Sequence, residues 1–198
     1  CGTQTDYKGE ISLSTTHSVA ANIIASPLAR FHQRYPKTRF ILQSGGESSF
    51  TLELVNSSSI DFGIIAGKEF PSTIEARPLF LSRLVLVSRP EKTFARDGQG
   101  FLQDPHELDG VPFVAFSSAS TLSRVVTDEL LKSGVSPSVA ATANNSAVIL
   151  SYVQAGMGVT ILEDFTVRHC ADSLDIYPLP GTGVLRQYSL ITRRRRHL

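Results

Sequence analysis

The chain has 198 residues, 41% hydrophobic and 19% charged, which is enough for one large domain or two small lobes and too apolar for disorder. Net charge is +1, and four of the 19 basic residues are the tail run Arg193, Arg194, Arg195 and Arg196. The other 15 face 18 acidic residues, a net of −3, which argues against a nucleic-acid surface spread over the globular part.

The two cysteines, Cys1 and Cys170, form neither a disulfide framework nor a C-x-x-C metal or redox pattern, so a reduced compartment is expected. No apolar run approaches the roughly 18 residues of a membrane span, and no signal-peptide pattern is visible. Cys1-Gly2 also matches the start of a mature lipoprotein, so a lipid-anchored form stays open.

Strand-like and helix-like runs alternate along the chain. "EISLS" alternates as a short strand, "TRFILQS" is a second, and the β-branched "IDFGIIAG" suits a buried parallel strand. Between the first two, Ile24, Leu28, Phe31 and Tyr35 recur at helical spacing and predict one buried stripe. Pro27 is costly deep in a helix, and Ser26 before it suits an N-cap. A short turn over 18–24, a break or kink, and a main helix to about Gln33 are therefore expected. Tyr35-Pro36 ends it. The next helix is expected over 50–56, capped by Ser48 or Ser49.

This β-α-β-α-β order predicts a doubly wound sheet. Residues 76–90 read as two strands around a bend at 80–82, and 91–100 as a loop. A second series comes next: strand "VPFVAFS", helix 121–132, strand "SVAATA", helix 146–154 and strand "GVTIL". Glu163-Asp164 looks like a helix start, and "SLDIYPL" and "RQYSLIT" close the chain as strands. Two similar halves suggest two α/β lobes.

Open α/β sheets bind ligands beyond the carboxyl ends of their strands, where helix N-termini point. Four such places are rich in hydroxyls or amides: Thr15-Thr16-His17-Ser18, the run from Ser44 through Gly45 and Glu47 to Ser49, the run Ser117, Ser118, Ser120 and Thr121, and Asn144-Asn145-Ser146. A helix start offers unpaired N–H groups and about half a positive charge, so added hydroxyls suit a carboxylate, sulfate or phosphate. Each stretch alone is equally an ordinary helix cap. Four at equivalent positions of two lobes point to a shared polar cleft.

Catalytic patterns are poor. His17 is the histidine that falls in a candidate stretch, with no cysteine or G-x-S-x-G elbow beside it. His32, His106 and His169 lack metal spacing. The glycines near Gly100 and Gly183 open no helix, so neither is a phosphate loop. Neither an enzyme nor a cofactor is expected.

"GEISLSTTHSVAANIIASPLARFHQRYPKTRFIL", "LELVNSSSIDFGII", "LFLSRLVLVSRP", "LSYVQAGMGVTIL" and "RQYSLITR" resemble the effector-binding domain of LysR-type transcriptional regulators. The similarity runs over about 9–192. "TTH" after the first strand is similar to the cysteine-biosynthesis branch, whose members answer to sulfur metabolites and sulfate. That branch has glutamine where Val19 stands and threonine where Ala66 stands, and both departures remove hydrogen-bonding groups.

The resemblance implies two periplasmic-binding-protein-like (type 2) lobes, each a doubly wound mixed sheet, joined by two crossovers. Lobe I would be 9–88 and 166–198, and lobe II 89–165. It implies a cytoplasmic sensor of a small anionic metabolite or inorganic anion, sulfate-like or a carboxylate, bound in an interlobe cleft. DNA would be met only through an N-terminal winged helix-turn-helix that is absent from this chain, which opens within what would be the linker. A homodimer or tetramer without membrane contact is implied. Pairing would be head to tail, with Leu28, Phe31 and strand 38–42 on one side and helix 125–131 on the other. By position, Thr15, Thr16, Ser18, Gly45, Glu47 and Ala66 would contact the effector from lobe I, with the His17 backbone N–H. Ser117, Ser118, Ser120, Thr121, Asn145 and Ser146 would close from lobe II. The competing reading is a secreted or lipid-anchored solute-binding protein of the same fold.

Overall fold

Small polar and apolar residues alternate over 9–15, the period of a strand with two different faces. The computed structural model describes residues 7–45, 47–117, 120–170, 172–181 and 185–194. β1 (Gly9–Thr15) pairs in parallel with β2 (Thr38–Ser44) on one side and β3 (Phe62–Ala66) on the other. The chain divides into two compact units, Cys1–Phe80 with Gln187–Leu198, and Leu81–Arg186. The long strand β4 (Ile74–Ser88) and the last strand β9 (Leu185–Arg193) carry the chain between them.

In the first unit β9 joins β3 antiparallel, so the sheet runs β2-β1-β3-β9 and is mixed. Helix α3 (Ser48–Asn56) lies on it: Ser14 and Thr51 share a buried hydroxyl hydrogen bond of 2.8 Å, and Val55 packs with Ile60, Ile65, Ile74 and Ile191.

The helix after β1 does not break at Ser26-Pro27. A short α1 (His17–Val19) runs through a π-helical turn (Ala20–Ile24) into α2 (Ala25–Arg34), with right-handed helical backbone at each junction. The wide π turn lies just before Pro27, which has no N–H to offer the preceding turn. Ser26 is therefore a helical residue rather than a cap. The expected stripe is also less buried than its spacing predicts. Ile24 is buried, but Leu28, Phe31 and Tyr35 are half-buried. They lie beside β2, the edge strand, where Phe31 meets Tyr35 and Phe40 at ring separations of 4.8 and 5.7 Å.

The second unit pairs β5 (Pro112–Phe116) in parallel with β6 (Ser138–Ala143), followed respectively by α4 (Thr121–Lys132) and α5 (Ser146–Gln154). β4 carries β7 (Thr160–Glu163) and β8 (Asp175–Pro178), both antiparallel to it. "GVTIL" thus only begins as a third parallel strand. Val159 bridges to Phe113, the Thr160 hydroxyl bonds the Val114 carbonyl at 2.7 Å, and the chain then turns to β4. A short α6 (Asp164–Val167) starts where Glu163-Asp164 predicted it.

Residues 76–90 do not form two strands: 74–88 is one continuous strand with no break at 80–82. The unit boundaries also fall elsewhere than 88 and 166. Residues 84–87 of β4 pair with β7, and 85–88 with β8, so 81–88 and 166–186 pack with the second unit. Its core joins Leu84, Leu86, Phe113, Ile161 and Tyr177 on one side of β4, and Val85, Val87, Ile149, Val153 and Leu162 on the other.

Charge enters this interior. The Arg186 guanidinium reaches Glu163 at 3.0 Å with side chains 9% and 3% exposed, and the buried Ser82 hydroxyl donates to the same carboxylate oxygen at 2.8 Å. At the surface His106 bonds Asp109 at 3.0 Å. That bond, opposed by desolvation and helped by the charges of Asp109 and Asp104, raises the imidazole above its ordinary 6.5. Asp109 is lowered from 3.8, first by the Ser136 N–H and then by His106.

Glu163→Ala leaves the Arg186 charge in the interior and is expected to destabilise the chain by about 3–5 kcal/mol in urea unfolding; a loss under about 1 kcal/mol contradicts the burial. Because the His106 value is raised on folding, its contribution to stability is complete below 6.5 and fades as pH rises through the raised value. Asp109 contributes above 3.8 and loses its part as pH falls. The His106 ring is expected to titrate above 6.5 by NMR and to move down in Asp109→Asn; an unmoved midpoint contradicts the pair.

Candidate functional site

Parallel strands followed by helices deliver their carboxyl ends to one edge of a sheet. In the first unit that edge is tight. Thr15 pairs with Ser44 of β2 and with Ile64 of β3, and the Gly45 N–H bonds the Thr15 carbonyl at 3.3 Å. The segment 15–18, Gly45, Glu47 and Ala66 are therefore neighbours at the ends of three adjacent strands.

Their side chains do different work. Thr15 is fully buried and donates to the Ile64 carbonyl at 2.6 Å, so its hydroxyl serves the sheet. Thr16 is the N-cap of the helical run, accepting from the Val19 N–H at 3.4 Å, while its carbonyl accepts from Ala20. His17 is exposed and Ser18 half-buried. The His17 ring lies against Gly45, where an added Cβ would collide with Nε2. Gly45 also has φ +101°, a conformation that favours glycine. The expected role of His17 was its backbone N–H, but the structure also places its ring across the ends of β1 and β2. Glu47 takes the cap position of α3 without a side-chain cap bond. Ala66 ends β3, half-buried, opposite Tyr188 of β9.

The second unit repeats the arrangement within itself. The Ser117 N–H bonds the Ala143 carbonyl at 2.9 Å, which joins the ends of β5 and β6. Ser120 caps α4, accepting from Leu122 and Ser123 at 3.1 and 3.4 Å. Asn145 caps α5, its Oδ1 accepting from Ala147 at 2.8 Å. Thr121 and the buried Ser146 are the first residues of these helices. Ser118 lies outside the described residues.

Within each unit the candidate residues come together, and the capping role is real for Thr16, Ser120 and Asn145. Capping and ligand binding draw on the same N–H groups and partial positive charge. Neither set contains Lys or Arg, so a ligand there would be held by amides, hydroxyls and helix polarity rather than by ion pairing. One supporting residue is missed by the sequence reading: Asn22 donates to the Ser18 carbonyl at 2.9 Å and steadies the turn that carries Ser18. Its spacing of four from Ser18 was the available signal. Among the described residues no three His, Cys, Asp or Glu side chains gather as metal ligands would, and no helix is long and apolar enough to cross a membrane.

Residues 4–198 match the family model for the LysR substrate binding domain. The transcriptional dual regulator GltC of Bacillus subtilis is 24% identical over 194 residues, covering 97% of this chain and 63% of that protein. The regulator CysB of Haemophilus influenzae is 24% identical over 180 residues, covering 90% of this chain and 54% of that protein. This chain thus spans 63% and 54% of the lengths of these relatives. Among solved structures, the regulatory domain of CcmR from Synechocystis PCC6803, in complex with 2-PG, superposes with a TM-score of 0.82 at 18% identity, over 96% of this chain and 90% of that one. At that identity the likeness shows the fold alone, the α/β periplasmic-binding-protein-like fold of LysR regulatory domains. The matched relatives are transcriptional regulators, not enzymes. With its mixed sheet, its two units joined through β4 and β9 and a family match over nearly its whole length, the chain belongs to the LysR substrate-binding domain family.

Proposed function

We propose that this chain is the ligand-sensing part of a LysR-type transcriptional regulator and that its ligand is a small anion, a sulfate-like ion or a carboxylate. The observation that carries this is the meeting of Thr16, His17, Ser18 and Gly45 at the ends of adjacent parallel strands where a helix opens. Donors and helix polarity there favour a compact negative group. The family match favours this regulator over a secreted or lipid-anchored solute-binding protein.

Thr16 and Ser18 are the best contacts, with His17, Gly45, Glu47 and Ala66 around them. Ser117, Ser118, Ser120, Thr121, Asn145 and Ser146 are proposed as ligand contacts within the second unit. The Thr15 hydroxyl, committed to Ile64, contributes by holding the strand ends together. The ligand would act by population shift, favouring one state of the protein by its differential affinity. DNA would be met through an N-terminal winged helix-turn-helix of the longer protein, in the cytoplasm. Thr15-Thr16-His17-Ser18 directs the first ligand screen to sulfur metabolites, although Val19 and Ala66 lack the polar groups of the cysteine-biosynthesis branch.

A homodimer is proposed through two apolar faces. One is the half-buried Leu28–Phe31 side of α2 with β2, where Leu42 is 41% exposed; the other is α4 with β6, where Leu131 is 70% and Val139 60% exposed. Two different faces on one chain pair head to tail when each copy offers one to the other.

In calorimetry against sulfate, acetylserine and aromatic carboxylates, Ser18→Ala is expected to weaken binding roughly tenfold with unchanged folding. Thr16→Ala weakens it too and removes a helix cap worth about 1 kcal/mol of stability. Unchanged affinity in both variants rejects the first-unit site, and unchanged affinity in Ser120→Ala and Asn145→Ala rejects the second-unit contacts. Leu131→Glu is expected to convert a sedimenting dimer to monomer; a parent chain that sediments as a monomer at high concentration rejects the pairing.

A further inference from the structure

Burying an ion pair is a poor way to gain stability, because desolvation offsets most of the attraction and an apolar pair of similar volume does as well. The pairs Arg39–Glu10, Arg77–Glu75 and Arg89–Glu91 are exposed in the ordinary way. Glu163–Arg186 is not. Its place in the chain is specific. Ser82 stands two residues past Phe80, where β4 enters the second unit, and Arg186 is the last residue of that unit before β9 leaves it. Both reach one atom: Glu163 Oε1 accepts from the Ser82 hydroxyl at 2.8 Å and faces Arg186 Nη1 at 3.0 Å.

We propose that Glu163, Ser82 and Arg186 form a brace that fixes the register of the two crossover strands where they meet the second unit, so that β4 and β9 are held there as a tied pair. Alternate residues of a strand face opposite ways, so a slip of one position in either strand would turn Ser82 or Arg186 away from Glu163. The buried carboxylate would then lose one of these two partners, a change the interior penalises. Apolar side chains of similar size would fill the same space but would not distinguish the registers. The neighbouring Asp164 anchors the same stretch by accepting from the Arg83 N–H at 3.2 Å and from Phe165 at 2.9 Å. The brace lies within the second unit and does not depend on which ligand the protein binds.

Hydrogen exchange on Glu163→Met/Arg186→Met, read together with its thermal unfolding, tests this. The double variant is expected to melt within about 4 °C of the parent. Amides of 81–84 and 185–188 should exchange at least about tenfold faster, while those of α4 and α5 are unchanged. A double variant that keeps the parent's exchange at both crossovers overturns the brace. So does one that unfolds or melts far below the parent, because the pair would then act as a stability element. Uniformly faster exchange across the second unit counts against it in the same way.

Discussion

Parallel pairing of β1 with both of its neighbours governs how this molecule is built. A parallel pair cannot be closed by a tight turn, so the chain returns through a helix after β1 and again after β2. The ends of these two strands are then also the starts of crossovers. Thr15, Ser44 and Ile64 stand in register across three strands, and the segments leaving those strands share one edge of the sheet. The local sequence needs only small polar residues after each strand. The sheet turns those separate choices into one surface.

That surface shows why capping and binding are hard to separate. A helix start needs its N–H groups satisfied, and Ser, Thr and Asn do this locally. Thr16, Ser120 and Asn145 all do so. The same oxygens and amides are the groups that the proposed ligand would meet at a strand end. Gly45, at φ +101°, lies under the His17 ring where the chain leaves β2. The crowding there brings an exposed imidazole to the strand ends.

The two units handle polarity differently. The first fastens its helix to its sheet through neutral hydroxyls, Ser14 on Thr51, beside a compact aliphatic cluster. The second buries a full ion pair beside its crossovers. A neutral pair is inexpensive to bury and loosely directional. A carboxylate that receives both Ser82 and Arg186 is expensive to bury and strict about position.

Much of the architecture was legible in residue order. The helices 121–132 and 146–154 and the strands 38–44 and 138–143 have the bounds that capping residues and apolar spacing predict. Local signals suffice there because the helices start on their own caps, Ser120 and Asn145, and the strands are bounded by Pro36, Gly45, Pro137 and Asn144. The alternation of strands and helices, the family resemblance and the hydroxyl-rich strand ends were all readable in the same way. Other features needed the folded chain: that 74–88 is one strand, that Pro27 is absorbed by a π turn, that the Leu28–Tyr35 stripe stays half-buried on an edge strand, and that Thr15 serves the sheet. Folding also makes Glu163, read as a helix start, the acceptor for two distant strands. Each of these depends on partners far away in sequence, and local periodicity carries no information about which distant segment will cover a face or satisfy a buried charge.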